Sequence, residues 1–481
     1  MEETNVRINK LGKISTLTAV AFLGAATMLS ALPAHRASAL NAIFVVTKTA
    51  DTNDGTCDAD CSLREALTAA NALAGHDNIT LPAGTYTLTL PGIEDLNASG
   101  DLDVTGSVSI NGAGVATTII NGLLSEDAID VHDGAGELIL TDLTVTGADF
   151  LGIKSGTSDI SLIASSVSGN GGGGVLTDSG NVDLQSSTID RNDGIGIDTT
   201  TGDVTLSEST ISRNSADGIT TTSGNVILTN STISDNDGDG IFTISGDVTL
   251  NSSTDYHNFC DGIRITGAGL ITLNGSIVAG SIDCNDCSTS VEGSDHSLDG
   301  DGTCGLGGTD ISNGNPMLGP LQNNGGPTET RLPGAGSPVI DAGGNNCPEG
   351  DQRFLNRPAG AACDIGAVEV QSVVVQPTAT ATTLPCRQEC PTETPTRVGR
   401  LKTHTPTVTK TAEPTKTSVP ATKTNTPVPP AFTGDRAGAV RGPDTGSGGD
   451  SDGGSQDYSW AIIALALGGA GALVAGVRRR A

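Results

Sequence analysis

The chain has 481 residues and a formal charge of −30, with 55 Asp and Glu against 25 Lys and Arg. Phosphate backbones are held by clusters of Lys and Arg, so this balance excludes a nucleic-acid partner and suits a solvated exterior or a cation-binding surface. Aromatic residues make up only 2% while glycines number 65, a composition that cannot fill one wide globular core and calls for many small apolar layers, as in a repeat architecture.

In chain order, Arg7, Lys10 and Lys13 precede an apolar run from Leu17 to Leu32 and then Ala37-Ser38-Ala39. A basic start, an apolar stretch and a small-residue cleavage site predict a signal peptide over residues 1–39, hence export to a compartment that permits disulfides. The even set of ten cysteines fits that compartment: Cys57, Cys61, Cys260, Cys284, Cys287, Cys304, Cys347, Cys363, Cys386 and Cys390. None of the six histidines lies beside a Cys pair at ligand spacing, so disulfides are expected and zinc is not.

Next comes Ser62-Leu63-Arg64-Glu65, a capping box, followed by an apolar stripe of Leu63, Ala66, Leu67 and Ala70. This predicts a helix that covers the open end of the first repeat, with a Cys57–Cys61 bridge clamping its start. Asp51, Asn53, Asp54, Asp58 and Asp60 form an acidic stretch similar to a calcium loop, without its full ligand spacing. The run from Phe44-Val45-Val46 through Cys57-Asp58-Ala59-Asp60-Cys61-Ser62-Leu63-Arg64-Glu65-Ala66, with Ile79-Thr80-Leu81-Pro82-Ala83-Gly84-Thr85-Tyr86 after it, resembles the CSLREA domain of bacterial surface proteins. The resemblance implies a β-helix carried outside the cell beside an anchor, and it implies no catalytic residue.

The centre repeats every 22 residues. Gly152-Ile153, Gly174-Val175, Gly196-Ile197, Gly218-Ile219, Gly240-Ile241 and Gly262-Ile263 form one series, and Val145, Val167, Ile189, Ile211 and Ile233 a second. A third pairs alternate positions: Ile160/Leu162, Val182/Leu184, Val204/Leu206, Val226/Leu228 and Val248/Leu250. Three short period-2 segments per repeat, separated by turn residues and without helical spacing, predict a right-handed parallel β-helix whose coils stack about 4.8 Å apart. A two-layer sandwich has similar strands but no reason to keep that register. Residues 40–308 are therefore expected to be the CSLREA cap and β-helix.

Several polar columns share the period. Asn170, Asn192, Asn214, Asn236 and Asn258 suit an amide ladder along the axis. Asp159, Asn181, Asp203, Asn225 and Asp247 alternate acid with amide, which keeps carboxylates two coils apart. Asp217, Asp239 and Asp261 stack without such relief, with Asp237 nearby. Their repulsion marks a candidate calcium site, calcium being the hard cation that several carboxylate oxygens hold. Arg191, Arg213 and Asp235 form another column, in which Arg213 is expected to pair with Asp235; an Arg beside an Asp on a β-helix face also invites comparison with polysaccharide lyases.

Beyond the coils, Leu321-Gln322-Asn323-Asn324-Gly325-Gly326-Pro327-Thr328, Gly336-Ser337-Pro338-Val339-Ile340-Asp341-Ala342-Gly343 and Cys363-Asp364-Ile365-Gly366-Ala367 resemble the choice-of-anchor Q domain, giving a module over residues 309–370. Cys260 lies about one coil before Cys284 and Cys287 and is expected to staple to one of them, with Cys347 bridging Cys363 and Cys386 closing a small loop with Cys390. Residues 371–459 are rich in Thr and Pro, then in Gly, Ser and Asp. They read as a disordered, extended stalk and spacer, a candidate for O-glycosylation.

Residues 460–481 hold an apolar run from Trp460 to Val477 and then Arg478-Arg479-Arg480, a transmembrane helix with a cytoplasmic basic tail. With Gly442-Pro443-Asp444-Thr445-Gly446 upstream, this end also resembles the signals that sortases process, although Gly442 stands where that family has Leu.

The sum is a secreted protein anchored to the cell membrane or wall, serving adhesion, surface structure, or glycan and cation binding, with glycans or neighbouring cell surfaces as partners. The alternative is an extracellular polysaccharide lyase or glycoside hydrolase on the same scaffold. Sugar clefts are usually lined with aromatic platforms, and the coils hold few rings (Phe242, Tyr256 and Phe259), which weighs against an enzyme.

Overall fold

The computed structural model describes residues 41–123 and 126–371. The expected signal peptide, the stalk with Cys386 and Cys390, and the apolar C-terminal run lie outside them. Among the described residues no helix is long and apolar enough to cross a membrane. They form an all-β, right-handed parallel solenoid of about eight turns, about 22 residues per turn, with one short helix.

Each regular coil gives one strand to each of three parallel sheets. Asp159–Ile163 lies in sheet I, Ser166–Ser168 in sheet II and Gly173–Thr177 in sheet III, and Val182–Gln185 then returns to sheet I beside Asp159–Ile163. The sheets hold eleven, ten and eight strands in turn. Residues 22 apart are lateral partners, as the periodicity requires: Ile160 pairs with Val182, Val182 with Val204, and Val167 with Ile189. These aliphatic side chains are fully buried and fill the bore layer by layer, so each coil depends on its neighbours to complete its core.

The polar columns stack as expected. From Asn170 to Asn258 each amide donates Nδ2–H to the next Oδ1 at 3.0 Å, and each oxygen also accepts the previous asparagine's backbone N–H at 3.1 Å. The alternating column works through backbone amides: Asn181 N–H donates to Asp159 Oδ1 at 2.8 Å and Asp203 N–H to Asn181 Oδ1 at 3.0 Å.

A further ladder occupies the corner between sheets I and II. Ala164, Ser186, Glu208, Asn230 and Ser252 each adopt the left-handed region there, with φ between 46° and 53°, a conformation that is unfavourable for non-glycine residues. The serine that follows each one points inward: from Ser187 to Ser253 its hydroxyl accepts the N–H of the equivalent serine one coil earlier, at 3.0–3.2 Å, and Ser165 accepts Leu143 N–H at 3.4 Å. Each sharp corner is thus held by a buried hydroxyl.

Helix α1 (Leu63–Asn71) closes the N-terminal end through the expected capping box: Glu65 N–H donates to Ser62 Oγ at 3.1 Å, and Ser62 N–H to Glu65 Oε2 at 2.7 Å. Its apolar stripe is buried, and so is Arg64. The Arg64 guanidinium pairs with Asp51 at 2.8 Å and donates to the carbonyls of Gly100 and Asp101, both at 2.7 Å. Of the acidic stretch near the start, Asp51 is therefore taken up by Arg64 and by the N–H groups of Thr89 and Leu90, and Asp60 pairs with Lys48 at 3.1 Å.

The C-terminal segment folds back along the outer side of sheet II. Thr210 donates to the Glu329 carbonyl at 2.8 Å, Thr232 to Gln352 Oε1 at 2.6 Å, and Ala367 N–H to Thr254 Oγ1 at 3.0 Å. Val339 and Ile365 pack with Ile277 and Leu298 as a second apolar cluster. Among the described residues four bridges form: Cys57–Cys61, Cys260–Cys284, Cys287–Cys304 and Cys347–Cys363, with Cα–Cα separations of 4.5, 4.8, 4.9 and 6.5 Å. Cys284, and not Cys287, takes Cys260 across one coil.

Candidate functional site

The column Asp217, Asp239 and Asp261 stacks, but its carboxylates are used along the axis. Asp217 accepts Asp239 N–H at 2.7 Å, Asp239 accepts Asp261 N–H at 2.9 Å, and Asp261 accepts Asn285 N–H at 2.8 Å. Arg264 pairs with the second oxygen of Asp239 at 2.6 Å. The charge that suggested calcium is thus met by amides and a guanidinium, and Asp237 stands apart on the exposed corner. Burial, then Asp217, still pushes Asp239 up to about 6.

The expected Arg213–Asp235 pair does not form. The folded-back segment supplies the partners instead: Arg213 pairs with Glu329 and Arg331 with Asp235, each at 2.5 Å. Asp235 also meets His257 at 2.9 Å, and Arg191 pairs with its neighbour Asp190. Of the column's two cations, Arg213 therefore lies against the folded-back segment, while Arg191 stays exposed beside Asp190.

Sheet III does gather carboxylates, in coils outside the 22-residue register. Asp103 pairs laterally with Asp130, and Asp130 with Lys154, at offsets of 27 and 24 residues. Around them Asp101, Asp127 and Asp130 bring one oxygen each to within 4.8 Å of one another, and Asp95, Asp103 and His132 form an adjoining trio. Among the described residues these are the groups able to converge on one ion. The Lys154 ammonium sits among the first trio, 2.7 Å from Asp130 and 3.9 Å from Asp127. Asp103 holds His132 at 2.9 Å and accepts Asn97 N–H at 2.6 Å.

The electrostatics are those of crowded anions. Burial, then Asp103, Asp130 and Asp127, pushes Asp101 up to about 7. Burial also raises Asp127, although Leu151 N–H and Lys154 offset part of it, and it raises Asp103 against the pull of His132. Burial works against the Lys154 and His132 cations, but the surrounding carboxylates prevail and raise both. An all-oxygen donor set with unbalanced negative charge is the chemistry of a hard divalent cation.

Arg64 fixes the backbone of this site by holding the Gly100 and Asp101 carbonyls. At its edge Phe150, 56% exposed, donates its N–H to the Glu126 carbonyl at 2.6 Å, next to Asp127. The sequence reading missed this site because 22-residue columns do not reach it. The triplets Leu102-Asp103-Val104 and Ile129-Asp130-Val131, each an acid between two inward apolar residues, were the available signal.

The sequence matches the family described as "Right handed beta helix region" over residues 106–242 and 153–303. No curated protein matches it. Among solved structures the fold is similar to pectate lyase Pel9A, 15% identical with a TM-score of 0.47, covering 69% of this chain and 97% of that one. It is also similar to the A-module of the Azotobacter vinelandii mannuronan C-5 epimerase AlgE6, 17% identical with a TM-score of 0.41, over 53% of this chain and 74% of that one. For the AlgE4 A-module from the same organism the values are 16% and 0.34, over 56% and 94%. These likenesses are of fold.

Proposed function

We propose that this is an extracellular, surface-anchored β-helix that binds acidic polysaccharide through a divalent cation held on sheet III by Asp101, Asp127 and Asp130. The observation that carries the reading is the convergence of those three carboxylates within 4.8 Å around the one ammonium, Lys154, that already sits among them. A calcium ion takes six to eight oxygens, so three carboxylates leave positions for an oxygen-rich ligand. A chain of net charge −30 repels a polyanion; a bridging cation removes that barrier locally. The exposed Phe150 ring offers an apolar face beside the site. Export and anchoring rest on the predicted signal peptide and the apolar C-terminal run.

Calorimetric titration of the full chain with CaCl2, followed by polygalacturonate and by alginate with and without calcium, tests the proposal. Heat on adding calcium, calcium-dependent polyuronate binding, and loss of both in an Asp127→Asn/Asp130→Asn variant are expected. No heat and no shift in melting temperature with calcium would end it. The same mixtures report chemistry: unsaturated uronate products would make the site a lyase, whereas binding without products leaves an adhesive or structural role.

A further inference from the structure

On sheet II the inward column runs Ile189, Ile211, Ile233, Asp255 and Val278, each paired with the next. Asp255 thus replaces an aliphatic residue in the bore, where it is 1% exposed. Its Oδ1 accepts the last amide of the asparagine ladder, Asn258 Nδ2–H, at 2.5 Å. Its Oδ2 has no hydrogen-bond partner among the described residues. A carboxylate there is desolvated without a counter-ion, so the site favours the neutral acid.

The two neighbours of Asp255 in the same strand point outward and seat the folded-back segment. Thr254 accepts Ala367 N–H at 3.0 Å. Tyr256 lies under the Arg331 guanidinium, 4.8 Å from ring centroid to Cζ, and its carbonyl accepts Ser234 Oγ–H at 2.6 Å. One three-residue strand therefore carries the buried acid on one side and two holds on the segment on the other.

We propose that Asp255 is a proton-operated latch: protonated, it keeps strand Thr254–Tyr256 seated in the bore, and its ionisation releases the C-terminal segment, residues 316–371, from sheet II. The groups that face it make ionisation unfavourable. Asp286 lies in the following coil and Asp239 in the preceding one, the latter partly neutralised by Arg264. Asp299 occupies the same column beyond Val278, and among the described residues Asn258 is the single favourable donor. Burial, then Asp286, holds the Asp255 carboxyl well above the usual carboxylate range. Because its folded-state pKa is raised, the stability it contributes is present at low pH and is lost as pH rises through that value.

The test is limited trypsin cleavage of the full chain after Arg331 and Arg353 over a pH series, each rate divided by that of an unstructured peptide at the same pH. The wild-type opening constant is expected to rise by up to about tenfold per pH unit between the ordinary carboxylate pKa of the released state and the raised pKa of the seated state, and to level off above it, as release of one proton on opening requires. Asp255→Asn and Asp255→Val, the second continuing the aliphatic column, are expected to give flat profiles; having both covers the case in which one fails to fold. A flat wild-type profile, or the same rise in a folded variant, overturns the proposal.

Discussion

The asparagine ladder makes a quantitative claim that depends on position along it. Asn214 lies mid-ladder with no exposed surface; its Oδ1 accepts both the backbone N–H and the Nδ2–H of Asn192, and its Nδ2 donates to Asn236 and to the Ile189 carbonyl. Asn214→Ala leaves two buried donors of Asn192 without that acceptor, its backbone N–H and one Nδ2–H, the Nδ2 group keeping only its bond to the Val167 carbonyl at 3.3 Å. Asn170 begins the ladder, and Asn170→Ala orphans one donor, the Ala148 N–H. At about 1–3 kcal/mol per unsatisfied buried group, the mid-ladder change should cost about 4 kcal/mol and the terminal one about 2. Urea unfolding followed by far-ultraviolet circular dichroism measures both, with the midpoint shift read at unchanged slope. Equal losses, or less than about 1 kcal/mol at Asn214, would refute the idea that the ladder acts by satisfying donors in series.

Other consequences are separately measurable. Arg64→Ala leaves the buried Asp51 charge unpaired and should cost about 3–5 kcal/mol; calcium affinity, read by calorimetry, should fall with it because the Asp101 backbone loses its anchor. Burial and neighbouring carboxylates push Asp101 up to about 7, so protons compete for the proposed cation. Calcium affinity should therefore weaken as pH drops below about 7, by up to tenfold per unit for one coupled proton, and Asp101→Asn should flatten that dependence. Removing the cross-coil bridge by Cys260→Ser/Cys284→Ser opens a loop of 24 residues and should cost about 3 kcal/mol, seen as a lower melting temperature and earlier proteolysis of the last coils.

What was legible in the sequence is what the 22-residue period controls. Ile160, Val182 and Val204 announced the bore, and Asn170 to Asn258 announced the amide ladder, because identical backbone positions in successive coils are lateral neighbours. The Ser165–Ser253 ladder obeys the same period and was available by the same reasoning. Pairings set by tertiary contact were not legible. Asp235 looks like a partner for Arg213 until a segment about 96 residues further on lays Arg331 against it, and no local rule anticipates that docking. The choice between Cys284 and Cys287 for Cys260 likewise depends on the path of the last coil, since both lie within reach by spacing alone.

The two kinds of aspartate column show why the regular coils carry structure and the irregular ones carry the candidate site. In a 22-residue coil each corner repeats its predecessor, so a carboxylate such as Asp217 or Asp239 meets the next coil's amide and is consumed. Near the N-terminus the offsets are longer: Asn78 to Ser109 spans 31 residues and Ser109 to Ile139 spans 30. The extra residues break that succession of amides at the corners feeding sheet III. Asp101 and Asp130 are then left facing each other and Lys154, while Asp127 alone of the three takes a next-coil amide, Leu151 N–H at 3.0 Å. A coil shortened to 22 residues in this region should turn these acids into another axial ladder. By the same reasoning, an insertion at the Asp239 corner should free that carboxylate from its amide, and calcium-induced stabilisation of the two variants would then move in opposite directions.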